Sequence, residues 1–148
     1  MRRRIAMAVV AAALLTASSA SARAALLTKT YQFKPDIVLQ VGESVEGGLR
    51  LDSIQIFLPS STGVPGLRTG GVPRAEISIS NLGSSRQMFG LAIVLLDDEG
   101  RLLGAANGGP RVFPLRPNRQ GTFRLVLDGV NGEAYKATQF KIALETKP

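Results

Sequence analysis

Apolar and polar residues alternate with a period of two along most of the chain, and convincing helical periodicity is absent. Tyr31, Phe33, Ile37, Leu39 and Val41 share one parity, and Pro35 interrupts the run, which predicts an edge strand or a bulge. Leu49 and Leu51 are followed by Ile54, Ile56 and Leu58, so the phase changes at Asp52-Ser53 and a bulge is expected there. Ala75, Ile77 and Ile79 alternate with Glu76, Ser78 and Ser80, the pattern of a strand with one wet face. Asp97-Asp98-Glu99-Gly100 predicts a tight turn with Gly100 at a positive-φ position, and Arg101 to Ala105 would return as a short strand. Phe123, Leu125 and Leu127, and then Phe140, Ile142 and Leu144, complete the set. About seven strands in one domain predict an all-β antiparallel β-sandwich.

Residues 88–96 break the pattern. Phe89, Leu91, Ile93 and Leu95 form one apolar face, but Met88, Ala92, Val94 and Leu96 make the other face apolar too. Only one face of a sandwich strand points into the core. The second must be covered by the chain itself or by another molecule, and an uncovered apolar patch marks an interaction surface. Met88, Ala92, Val94 and Leu96 are therefore candidate partner-binding residues. Two connections are long: Pro59 to Pro73, and Gly104 to Gly121. They carry Arg68 in the first and Arg111, Arg116 and Arg119 in the second. If both loops emerge at one end of the sandwich, these arginines form a candidate anion-binding rim.

Three pieces of the chain resemble small bacterial immunoglobulin-like sandwich domains of the FxLYD-like kind. They are Ile77-Ser78-Ile79-Ser80-Asn81-Leu82-Gly83, Ile93-Val94-Leu95-Leu96-Asp97 with Asp98-Glu99-Gly100, and Leu115-Arg116-Pro117 ahead of Phe123. In order they look like a strand ending in an Asn-Gly-type turn, a central strand entering an acidic hairpin, and a proline turn before the next strand. The resemblance spans residues 75–144. It departs at the name-giving motif, where Ile93 stands for the aromatic Phe and Leu96 for Tyr. It implies a structural or interaction module and carries over no catalytic residue.

The start of the chain supplies an address. Arg2, Arg3 and Arg4 precede an apolar run from Ile5 to Leu15, and a small-residue stretch ends in Ala22-Arg23-Ala24. This is the organisation of a secretory signal peptide cleaved near Ala24. The apolar run is too short to span a bilayer. The expected product is a single sandwich domain, residues 25–148, in the bacterial periplasm or outside the cell. Four arginines behind the formal charge of +7 (Arg2, Arg3, Arg4 and Arg23) lie in the signal, so the remaining charge is modest. The other basic residues are scattered, which removes the case for nucleic acid.

The chain has no cysteine, histidine or tryptophan. A domain of this size buries roughly two-thirds of its unfolded surface and needs no disulfide. Catalytic triads lack their base and His/Cys metal sites lack their ligands, so no enzyme activity, cofactor or metal is expected. Asp97-Asp98-Glu99 is the best acidic cluster, but its spacing does not fit a calcium loop, and a solvated hairpin turn is the simpler reading. The residues thus predict a non-catalytic interaction module whose partner is another exported protein or a second copy of itself. An assembly factor or chaperone acting through an apolar sheet face or an open sheet edge fits that description. The alternative is a binder of a small anionic ligand or an envelope glycan through the arginine-bearing loops.

Overall fold

The computed structural model describes residues 25–58, 72–127 and 133–147. The expected signal peptide, and with it the cleavage site, lies outside the described residues, as does most of the 59–73 connection, including Arg68.

Eight strands form two antiparallel four-stranded sheets. They are β1 (Leu26–Gln32), β2 (Val38–Val45), β3 (Leu49–Phe57), β4 (Arg74–Asn81), β5 (Met88–Leu96), β6 (Leu102–Gly108), β7 (Arg119–Val126) and β8 (Gln139–Lys147). One sheet runs β1-β8-β5-β6 and the other β2-β3-β4-β7. The alternation seen in the sequence is therefore that of a β-sandwich. The interleaved pairs β4-β7 and β5-β8 correspond to the central B-E and C-F pairs of an immunoglobulin-type arrangement.

The count exceeds the expected seven because the run from Tyr31 to Val41 is two strands in different sheets. Proline fixes its own φ and favours extended backbone in Lys34 before it. The chain then turns at Asp36, which has a φ of 60°. It thus crosses from the edge of one sheet, β1, to the edge of the other, β2. Residues 25–57 accordingly add three strands to the sandwich rather than wrapping around it. The return after Gly100 is also longer than expected. β6 reaches Gly108, so the connection described as Gly104–Gly121 shrinks to residues 109–118, and Arg119 stands inside β7.

The inner faces meet in a core of aliphatic side chains. Leu49, Leu51, Ile54, Ile77 and Ile79 from one sheet pack against Leu91, Ile93, Leu95, Ile142 and Leu144 from the other. Each such burial contributes roughly 1.5–3 kcal/mol. The register of β3 against β4 shifts between Leu51 and Ser53. That bulge at Asp52 lets both Leu49/Leu51 and Ile54/Ile56 face inward, as the phase change in the sequence predicted. Phe89 and Phe123 meet edge to face, 5.0 Å between centroids, beside the flank where β6 and β7 lie.

One fully buried polar side chain organises the end of the sandwich where β4 passes to β5. The Asn81 amide nitrogen donates to the Ser85 carbonyl at 2.8 Å and to the Leu115 carbonyl at 2.9 Å. Its oxygen accepts the Gly83 N–H at 3.0 Å, and its backbone carbonyl accepts the Asn118 N–H at 2.8 Å. Asn81 therefore shapes the 82–87 connection and pins the 109–118 loop to it. Asn81→Leu keeps similar volume but leaves those carbonyls without their donors. It should cost about 3 kcal/mol and lower the thermal midpoint by about 10 °C. Circular-dichroism melts of the two proteins measure this, and an unchanged midpoint would remove Asn81 from that role.

Candidate functional site

The two outer faces of the sandwich differ in chemistry. The outer face of the β2-β3-β4-β7 sheet is a ladder of matched polar pairs. Arg124 Nε donates to Glu76 at 2.8 Å, Ser78 and Thr122 share a hydrogen bond at 3.3 Å, and the Arg74 guanidinium lies 4.7 Å over the Phe57 ring. Asp52 accepts from Arg50 Nε at 2.6 Å, Ser80 Oγ at 2.5 Å and Gln120 Nε2 at 3.0 Å. Burial raises the Asp52 pKa, but these bonds outweigh it and hold the carboxyl below its ordinary value. Every charge of this network has a neighbour, and cross-strand pairs of this kind stabilise a sheet rather than present a site.

The outer face of the β1-β8-β5-β6 sheet carries an apolar strip along β5, flanked on β8 by Lys141 beside Val94 and Glu145 beside Gly90. The candidate residues of β5 point here: Ala92 is exposed, and Met88, Val94 and Leu96 are half-buried. Register places Ala143 of β8 on one side of Ala92, and Ala105 of β6 beside Val94. No described element packs over this face, so the second apolar face of residues 88–96 is bare among the described residues.

Next to it lies the free edge of β6. This strand pairs with β5 on one side only, so alternate N–H and C=O groups face outward along the other. From Gly104 to Gly108 the edge reads Gly-Ala-Ala-Asn-Gly, with no charge and no proline. The other three edges are guarded. Lys29 of β1 and Glu43 of β2 pair at 3.3 Å across one flank, and the backbone of β2 is bulged between Gln40 and Glu43. β7 carries Arg119 and Arg124. The irregularity of β6 falls at Leu103, before this stretch, and an edge left without charge or proline accepts another strand. A groove of about 620 Å³ follows β6, lined by Ala92, Val94, Ala105, Asn107, Phe123 and Arg111 among others.

At the far end of β6 the chain enters the 109–118 loop through Gly109. Its φ is 135°, and a Cβ there would collide with the Phe89 carbonyl oxygen. Leu115 then exchanges backbone hydrogen bonds with Gln87 at 2.9 and 3.0 Å, which fixes the return. Between these anchors Val112 and Phe113 project into solvent, Phe113 at 83 % exposure, with Arg111 beside them. A solvent-facing aromatic next to an arginine is the composition of binding hot spots. Neither Val112 nor Phe113 stands out in the sequence, because loop apolar residues break no alternation.

Arg116 and Arg119 are exposed and do not line the groove; Arg111 does. The described ends of the two long connections lie at opposite ends of their sheet: Phe57 pairs with Arg74 at one, and Asn81 with Arg119 at the other. The condition for a common arginine rim, both loops emerging together, is not met by these anchors. Instead the structure brings Arg111 together with Ala92 and Val94 in one groove.

The acidic turn is built from Asp97, which is buried. Its carboxylate accepts the backbone N–H groups of Glu99 at 3.0 Å and Arg101 at 2.8 Å, and Arg101 Nε at 2.6 Å. Gly100 has the expected positive φ, 77°. Asp97 is thus the frame of the β5–β6 hairpin, while Asp98 and Glu99 are the solvated part. Among the described residues no group of three or more His, Cys, Asp or Glu side chains is placed to hold a metal ion. No helix among them is long and apolar enough to cross a membrane.

The chain matches no protein-family model and no curated protein.

Burial raises the Asp97 pKa, but the Arg101 and backbone hydrogen bonds overcome this and hold it below the ordinary carboxylate value. Such a group favours the folded state when ionised. Its contribution is complete above the unfolded carboxylate pKa of about 4 and drains away as pH falls through the lower folded value. Urea midpoints should therefore change little from neutrality to about pH 5 on this account and drop below about pH 4. Asp97→Asn should flatten that acid limb; an acid limb as steep as wild type would contradict the assignment.

Proposed function

We propose that the chain is an exported, non-catalytic protein-interaction module of the periplasm or cell exterior. It takes an extended segment of another exported protein along the free edge of β6. The observation that supports this reading most is the uncharged Gly104–Gly108 edge beside the apolar strip of β5 and a groove. Main-chain hydrogen bonds to β6 supply affinity, as in other cases of strand addition, and the side chains that flank the edge supply selectivity. Alternate side chains of the incoming strand would lie towards Ala92, Val94 and Ala105, with Arg111 in the groove. Small side chains on β6 and β5 leave room for larger ones on the partner.

A role as an assembly factor or chaperone follows from this mode, because strand addition shields an unpaired edge until its proper neighbour arrives. The FxLYD-like resemblance over residues 75–144 is consistent with such a module. The signal-like pattern of residues 1–24 supports export. The absence of histidine and cysteine supports a function without catalysis.

Ala105→Lys with Asn107→Lys places two charges at exposed positions of the β6 edge, the device by which natural edges repel pairing. Val94→Lys does the same to the sheet face. Purified wild type, both variants and Arg111→Ser should be used as bait in periplasmic extract of the source cell, with folding verified by circular dichroism. The reading expects one stoichiometric protein on wild type and on Arg111→Ser, with at least tenfold less, about 1.4 kcal/mol, on the two lysine variants. Full retention by the folded edge variant would contradict it. A glycan or anion on wild type, lost with Arg111→Ser, would favour the binder of an envelope component instead.

A further inference from the structure

We propose that β1 is an exchangeable strand, and that two copies of this chain associate by each placing its β1 on the other's β8. The inference is independent of the β6 edge and rests on how β1 is held. β1 lies at the edge of its sheet and pairs with β8 alone, from Leu26 opposite Glu145 to Gln32 opposite Gln139. No residue of β1 is fully buried; Leu27 and Tyr31 are half-buried and the remaining five are exposed. The Tyr31 hydroxyl is shielded from solvent and finds no hydrogen-bond partner among the described residues, so the native seat leaves one polar group unsatisfied. The Lys29–Glu43 pair that ties β1 to β2 is solvent-exposed and of a kind that contributes little.

The seat itself is different. β8 is a central strand whose Phe140, Ile142 and Leu144 belong to the core. With β1 gone, the edge of β8 and the rim of the core would face water. An empty seat is unfavourable, and the segment that fits it with the same seven-residue register is another β1. Exchange of identical elements conserves every contact outside the hinge, which makes it a low-cost route to a dimer.

The hinge is short and carries its own bias. Lys34-Pro35 favours extended backbone. The reversal into β2 depends on Asp36, a non-glycine residue at φ 60°, held by its N–H on the Ile56 carbonyl at 2.9 Å and by Gln55 Nε2 on its own carbonyl at 3.1 Å. Moving Asp36 to an extended conformation releases the left-handed backbone at the loss of these two bonds. It also continues the direction of β1 and Lys34-Pro35 away from the parent domain. Opening also withdraws Phe33 from the core, with its N–H from the Thr138 carbonyl, and Tyr31 from the Phe140 ring, and the second copy's β1 restores these contacts in the same seat.

The chain has no cysteine, so single introduced thiols can report which chain supplies each strand. Thr28 and Ala143 are direct partners in the β1–β8 register and face outward. Full-length Thr28→Cys and Ala143→Cys proteins, distinguishable by mass, are mixed, warmed to just below the unfolding transition, cooled and mildly oxidised. Exchange predicts a disulfide-linked heterodimer of the two variants several-fold in excess of the two homodimers combined, rising with protein concentration. A heterodimer no more abundant than the combined homodimers, or no covalent dimer at all, overturns the proposal. Thr30→Cys with Lys141→Cys, the next outward pair in the register, repeats the measurement should either first variant fail to fold.

Discussion

The mutual burial of two aliphatic sheet faces is the interaction on which everything else in this domain depends. No disulfide can assist it, because the chain has no cysteine. No bulky aromatic dominates it either; the fully buried set is mostly leucine and isoleucine from β3, β4, β5 and β8. Close packing of such side chains fixes the register of every strand that contributes to it, since a slip of one residue would turn the core outward. The bulge at Asp52 is a consequence: it keeps both halves of β3 in phase with that core. The four central strands are therefore rigidly specified, while the edges are specified only as far as their own side chains demand.

That difference in constraint locates the candidate site. A sandwich has four edges, and here three carry charged side chains. β6 carries none, and beyond its irregularity at Leu103 it runs evenly from Gly104 to Gly108. Its place next to β5 is secured from the two ends, by the Asp97-framed turn on one side and by the Gly109 contact with Phe89 on the other. An edge strand held at both ends but unguarded between them is preorganised for pairing, so little ordering entropy opposes a partner strand. The polar ladder on the opposite sheet offers no comparable surface, because its donors and acceptors already satisfy one another.

Alternation made most of the architecture legible. Strands β3, β4, β7 and β8 follow directly from period-two runs, β5 from a near-continuous apolar run, and the bulge and the Gly100 turn from a phase change and an Asp-rich tetrapeptide. Two features were hidden for physical reasons. Pro35 reads as an interruption of one strand, whereas the chain changes sheets there, a fact set by tertiary packing rather than by local propensity. β6 was cut short because glycine and alanine carry neither alternation nor β-propensity. Only the length of its hairpin partner β5 could have signalled a return as far as Gly108. The apolar second face of residues 88–96 was visible in the sequence, but its connection with Arg111 was not, since the sequence placed Arg111 with Arg116, Arg119 and Arg68 instead.

Amide hydrogen exchange along residues 104–108, in the free protein and in a complex with a bound partner, tests the account most directly. The outward amides of β6 should exchange rapidly in the free domain, while those of β5 and β8 remain protected. In the complex, protection should appear on the outward amides of β6 between Gly104 and Gly108. Protection confined to the 109–118 loop, with β6 exchanging as fast as in the free protein, would contradict strand addition at this edge.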